Sequence, residues 1–137
     1  MNDKIEKRID QLADLFHKIK QLDENELSHL YELVSLHNES LFIVGDLVSE
    51  ALHVRDTAYL ERKKVYAESV VNGTGTVANR EAWAELNTYE LRKNEADANS
   101  MYHKYRLMYE SLNHRLIDYR QKRNNLEDEL KTINDRT

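Results

Sequence analysis

Two Glu-x-x-His pairs, Glu26/His29 and Glu50/His53, carry a spacing suited to metal ligation. A carboxylate and an imidazole three positions apart share one face of a helix, and such pairs supply ligands in di-iron four-helix bundles. The two pairs stand 24 positions apart on one expected helix, about 36 Å by helical rise, so one chain cannot bring both to a single metal. They read as helix-surface pairs. His103 and His114, eleven apart, fit no common ligand spacing. The Asn72-Gly73-Thr74-Gly75 stretch lacks the Gly-Lys-Ser/Thr ending that gives a phosphate loop its lysine and its magnesium-binding hydroxyl. Asn72-Gly73-Thr74 also matches a glycosylation sequon, but with no export signal it reads as a turn. The chain has no cysteine, which removes thiolate metal sites, disulfides and cysteine nucleophiles. No Ser-His-Asp or paired-carboxylate grouping stands out. The expectation is a protein that is not an enzyme and holds no metal or cofactor.

What remains is a basic and aromatic pattern on both sides of the glycines. Arg55, Tyr59, Arg62, Lys63, Lys64 and Tyr66 precede them; Arg80, Trp83, Tyr89, Arg92 and Lys93 follow. Such a set suits single-stranded nucleic acid, because cations pair with phosphates while rings accept stacked bases of any sequence. The candidate nucleic-acid-binding residues are Arg55, Arg62, Lys63, Lys64, Tyr66, Arg80, Arg92 and Lys93. The competing reading pairs these charges at i, i+4 with Glu61, Glu68, Glu81 and Glu85, and packs Trp83 and the tyrosines in a helix seam. A second basic group, Lys104, Arg106, Arg115, Arg120, Lys122 and Arg123, is spread around its helix and reads as solvated surface. The net charge of −5 is unevenly spread: residues 53 to 123 hold thirteen Lys/Arg against ten Asp/Glu, whereas residues 1 to 52 hold five against eleven. A mildly basic centre lies between acidic ends, and whole-chain charge is a poor guide to a local strip.

These residues need elements to position them. With no proline, three glycines, 33% charged and 40% hydrophobic residues, nothing interrupts a helical ladder, and the fold class is all-α. Ile5, Ile9, Leu12, Phe16 and Ile19 alternate steps of four and three and predict a helix within 1–22. Asp23 is a candidate N-cap, with Glu26 able to reach back to it in a variant capping box. A 3-4 pattern from Leu27 to Val65 then predicts one helix over 24–71. A second stripe through Leu33, Leu36, Ile43, Leu47 and Val54 requires more than one neighbour to cover it. Gly45 inside that helix suggests close helix approach.

The glycine-rich turn 72–76 stops the helix, with Asn72 and Gly73 suited to the left-handed conformation and Thr76 to the next N-cap. A helix over 77–135 follows from the rhythm of Tyr102, Tyr105, Tyr109, Leu112, Leu116 and Tyr119. A short connector between two such helices demands antiparallel packing. The expectation is a single domain over 1–137: an elongated antiparallel hairpin, with the N-terminal helix folded back on one end. Residues near 62 and near 83 then meet at the loop end. The uncovered stripes predict a homo-oligomer. No apolar h-region or membrane span is present, and the expected location is the cytoplasm.

A helix ending in "ERKKVYAES", then a Gly-rich loop and a long helix rich in acids and tyrosines, resembles the recombination mediators of tailed phages, the UvsY type. It is also similar to small helical proteins of phage replication and recombination modules that carry a "TVANREAWAEL"-like segment. The likeness spans about Leu47 to Arg123. It implies single-strand binding through the basic-x-basic segment before the aromatic, here Arg62, Lys64 and Tyr66, although the Arg-x-Lys order is reversed and the N-terminal helix is acidic. It further implies a ring-forming homo-oligomer that holds single-stranded DNA open and helps a recombinase replace single-strand binding protein; a weak patch repeated around a ring gains by avidity. Two other classes fit the composition. One is a phage inhibitor of a host defence or replication protein, whose acidic first half, with Asp23, Glu24 and Glu26, mimics phosphate charge. The other is a structural coiled-coil adaptor.

Overall fold

The computed structural model describes residues 3–136. Its elements are α1 (Asp3–Lys20), α2 (Leu27–Asn72), α3 (Val77–Asn87) and α4 (Tyr89–Asp135), with no strand among the described residues. The all-α class expected from the apolar rhythm is therefore observed. So is antiparallel pairing of the two long helices: Asn38 of α2 meets Arg120 of α4, and further along α2 Arg62 meets Glu95.

The helix ends show which local chemistry is used. Thr76 sits in extended backbone and its hydroxyl accepts the Asn79 N–H at 3.2 Å, capping α3 as its position suggested. The start of α2 differs from the expected capping box. The Glu26 carbonyl accepts the first helical bond, from Leu30. Asp23 instead turns the chain, its carboxylate accepting from the Asn25 N–H. The group that reaches back to the Asp23 N–H is the His29 ring, through Nδ1 at 2.9 Å. His29 is six positions after Asp23, and its Nε2 faces the Glu26 carboxylate at 3.3 Å. In the second connector the left-handed residue is Gly75 (φ 92°), not Asn72 or Gly73. Gly73 is needed for space: a Cβ there would lie 3.0 Å from the Ser69 carbonyl oxygen and 3.1 Å from Arg80 Cγ.

The helix expected over 77–135 is interrupted at Thr88. Its hydroxyl donates to the Ala84 carbonyl at 2.8 Å, alongside its own N–H to the same oxygen at 3.1 Å. Side-chain back-bonding of this kind competes with the regular ladder and disturbs it locally. The side chain of Arg92 donates to the Glu85 carbonyl at 2.9 Å.

Two compact units make up the chain. The terminal unit comprises residues up to Leu47 and from Arg106 onward; the central unit is Val48–Tyr105. In the terminal unit three helical segments share a core of Leu30, Leu33, Leu36, Val44 and Leu47 from α2, Ile5, Leu12 and Leu15 from α1, and Leu112 and Leu116 from α4. The double stripe of α2 is thus covered from Leu30 to Leu47, whereas Val54, the last residue of the second stripe, is exposed. On α1 the buried face runs through Ile5, Leu12 and Leu15, with Ile9 at its margin, 38% exposed. Arg8 ion-pairs with Asp46 and Lys122 with Glu24 at 3.2 Å, so part of the second basic group ties α4 to the α1–α2 turn. His37 is buried; its Nδ1–H donates to the Leu33 carbonyl at 2.7 Å, and burial lowers its pKa against the pull of that bond. Gly45 is not crowded, since an added Cβ would meet Tyr109 Cε2 at 3.8 Å, ordinary contact. The central unit is thinner: its buried apolar residues are Ala51, Ala84 and Tyr105. Burial raises the Tyr105 phenol pKa.

Candidate nucleic-acid interface

Within the central unit, α2 and α4 run antiparallel and present a groove of about 610 Å³ lined by Arg55, Asp56, Tyr59, Arg62, Arg92, Glu95, Ala96 and Asn99. The 3.6-residue period explains the set. Positions 55, 59 and 62 of α2 fall on one flank of the seam, and 92, 95, 96 and 99 on the matching flank of α4. Three of the sequence-predicted cations, Arg55, Arg62 and Arg92, therefore meet although they come from helices separated by the whole connector.

Each of these guanidiniums already has a carboxylate. Arg55 pairs with Asp56 at 3.3 Å and lies 4.5 Å over the Tyr102 ring. Arg62 pairs through Nε with Glu95, both side chains about three-quarters shielded, while its guanidinium sits 5.4 Å from the Tyr59 ring centroid. Arg92 holds the Glu85 carboxylate at 3.1 Å as well as the Glu85 carbonyl, and its guanidinium is 5.9 Å from the Tyr89 ring. The unpaired positive charge lies on lysines. Lys63 is exposed with its ammonium 5.1 Å from the Tyr59 ring, and Lys64 and Lys93 are exposed with no ion pair among the described residues.

The other candidates are placed elsewhere. Tyr66 is half-buried. Arg80 packs on Gly73 near the start of α3, with a buried Nε that has no hydrogen-bond partner among the described residues. Trp83 lines a separate cleft with Asn72, Gly73, Thr74 and Asn79. The expected meeting of residues near 62 with those near 83 is thus corrected. Arg62 faces Glu95, and Ser69 faces Asn87 through a 3.0 Å side-chain bond. Reflection about the connector would have set Arg62 opposite the Asn87 region; the actual partner lies about two turns later, as does Asn87 opposite Ser69.

The residue that sequence reasoning missed is Glu95, 33 positions from Arg62. The acids expected to neutralise the basic strip were Glu61, Glu68, Glu81 and Glu85; of these only Glu85 is paired with a groove cation. The signal for Glu95 is its 3-4 spacing with Arg92 and Asn99 on one flank of α4, which becomes informative once the register is fixed.

A second groove of the central unit, about 410 Å³, is lined by His53, Val54, Thr57, Ala58, Glu61, Leu91 and Asn94 and is mainly apolar. Leu60, Val71, Trp83 and Leu86 are exposed. Among the described residues no group of three or more His, Asp or Glu side chains is arranged to hold a metal ion, and no helix is long and apolar enough to cross a membrane. No family model matches the chain, nor does any curated protein or solved structure.

Proposed function

We propose that this chain is a non-enzymatic single-stranded DNA-binding protein, working as a homo-oligomer in the cytoplasm in the manner of the phage recombination mediators it resembles. The observation that carries the reading is the groove itself: Arg55 and Arg62 of α2 and Arg92 of α4 open on one trough with Tyr59 on its wall. Exposed Lys63, Lys64 and Lys93 supply charge that no carboxylate cancels. A strand laid there gains a stacking surface from Tyr59 and a phosphate contact from Lys63, whose ammonium is 5.1 Å from that ring, and the other exposed lysines add to the local positive charge. One copy offers few such contacts, and repetition in an oligomer multiplies them. Exposed Leu60, Val71 and Leu86 provide apolar surface for that association. In this role the protein holds the strand extended for a recombinase that displaces single-strand binding protein.

The test is fluorescence anisotropy of a labelled oligothymidylate with the full chain over a series of salt concentrations, paired with light scattering for subunit number. Micromolar or tighter binding that falls steeply with salt, and is lost in Lys63→Glu/Lys64→Glu, supports the reading. No binding at low salt rejects it in favour of a protein partner, such as a host defence or replication protein, docking on the exposed apolar residues.

A further inference from the structure

Resting on the single-strand reading above, we propose that Glu95 determines which anions the groove accepts: in the free protein it occupies Arg62, and only a ligand carrying several phosphates takes the guanidinium from it. The two side chains meet directly across the α2–α4 seam and are 25% and 24% exposed. Both line the trough that holds Arg55 and Arg92. An incoming phosphate therefore meets the nearly neutral Arg62–Glu95 pair rather than a free cation.

A single phosphate that displaces Glu95 trades one anion for another. It also competes with a carboxylate held in place by the fold, whose effective concentration is high. Such an exchange gives little net gain. A strand differs because its neighbouring phosphates reach Lys63 and the other cations at the same time, so each further contact is intramolecular once the first has formed. The Tyr59 ring, 5.4 Å from the Arg62 guanidinium, keeps that group in the groove while its carboxylate partner is exchanged. Glu95 thus screens out isolated phosphate and leaves the site to polyanions.

Glu95→Gln is the test, because it keeps the shape and removes the charge. With the full chain and labelled oligothymidylate, the variant should bind about fivefold more tightly at ~0.1 M salt, with a slope of log K against log salt near the parent value, because the strand contacts Arg62 in both. Inorganic phosphate should displace the strand from the variant at lower concentration than from the parent chain. Arg62→Gln/Glu95→Gln should flatten the slope by about 0.7 relative to the parent, the value of one lost single-strand phosphate contact. If the parent chain binds and Glu95→Gln leaves the affinity unchanged, the inference is overturned. Loss of the helical circular dichroism signal in Glu95→Gln also overturns it, since the pair would then be a strut rather than a competitor. If the parent chain fails to bind and Glu95→Gln binds, the inference is overturned, since Glu95 would then exclude the strand as well as single phosphates; if neither binds at low salt, the single-strand reading falls and takes this one with it.

Discussion

Tyr119 of α4 meets the buried ring of His37 edge to face, with 4.9 Å between centroids and 65° between planes. The Nδ1–H of His37 is committed to the Leu33 carbonyl, and burial in the terminal unit, aided by the Arg115 charge, opposes protonation. The folded-state pKa therefore lies below the ordinary 6.5. Between those two values the unfolded chain binds more protons than the folded one. Stability is complete above about pH 6.5 and declines as the pH falls toward the folded-state pKa. Thermal unfolding followed from about pH 7 to about pH 5 should show this decline. His37→Gln should flatten the His37 share of it while lowering stability at neutral pH.

Gly45 and Gly75 should respond oppositely to alanine. Gly45 lies inside α2 with room for a Cβ, so Gly45→Ala should stabilise by up to about 1 kcal/mol through helix propensity. Gly75 has φ 92°, where a Cβ costs about 1–2 kcal/mol. Gly75→Ala should lower the unfolding midpoint in denaturant, with α3 losing its entry from Thr76. Equal effects at the two positions would contradict this account of the connector.

Thr88 is fully buried, and its hydroxyl is bonded to the Ala84 carbonyl. Thr88→Val keeps the shape and removes the donor, so it should cost about 1 kcal/mol. Urea midpoints measured with an unchanged m-value would report that change. An increase in stability would mean that the interruption between α3 and α4 is itself strained.

The lysine pair gives a count as well as an affinity. Reversing Lys63 and Lys64 removes two exposed cations. Neutral Lys63→Gln/Lys64→Gln should flatten the salt slope for a single strand by about 1.4 and leave the melting temperature near the parent value. A slope that does not change would place the phosphate contacts elsewhere.

Much of the architecture was legible because helix rhythm is a local property. The stripe through Leu30, Val34, Val44 and Leu47, the Thr76 cap and the glycine-marked connector all follow from spacing and residue type. Register was not legible. It is set by contacts between α2 and α4 that no local spacing encodes, and an error of about two turns exchanges Asn87 for Glu95 as the neighbour of Arg62. Of the candidates drawn together from the sequence, Arg55, Arg62 and Arg92 line one groove, whereas Trp83 lines a different cleft and Arg80 packs near Gly73. Glu95 was hidden because its partner is 33 residues away, beyond any helical neighbour rule.

The sparse interior of Val48–Tyr105, where two alanines and one tyrosine are the buried apolar groups, sets a low threshold for local opening. Amide protons there should exchange with deuterium sooner than those around Leu30 and Leu47. A strand or a second copy gripping this stretch would slow that exchange residue by residue, so the rate at which the backbone takes up label becomes a direct map of what the molecule holds.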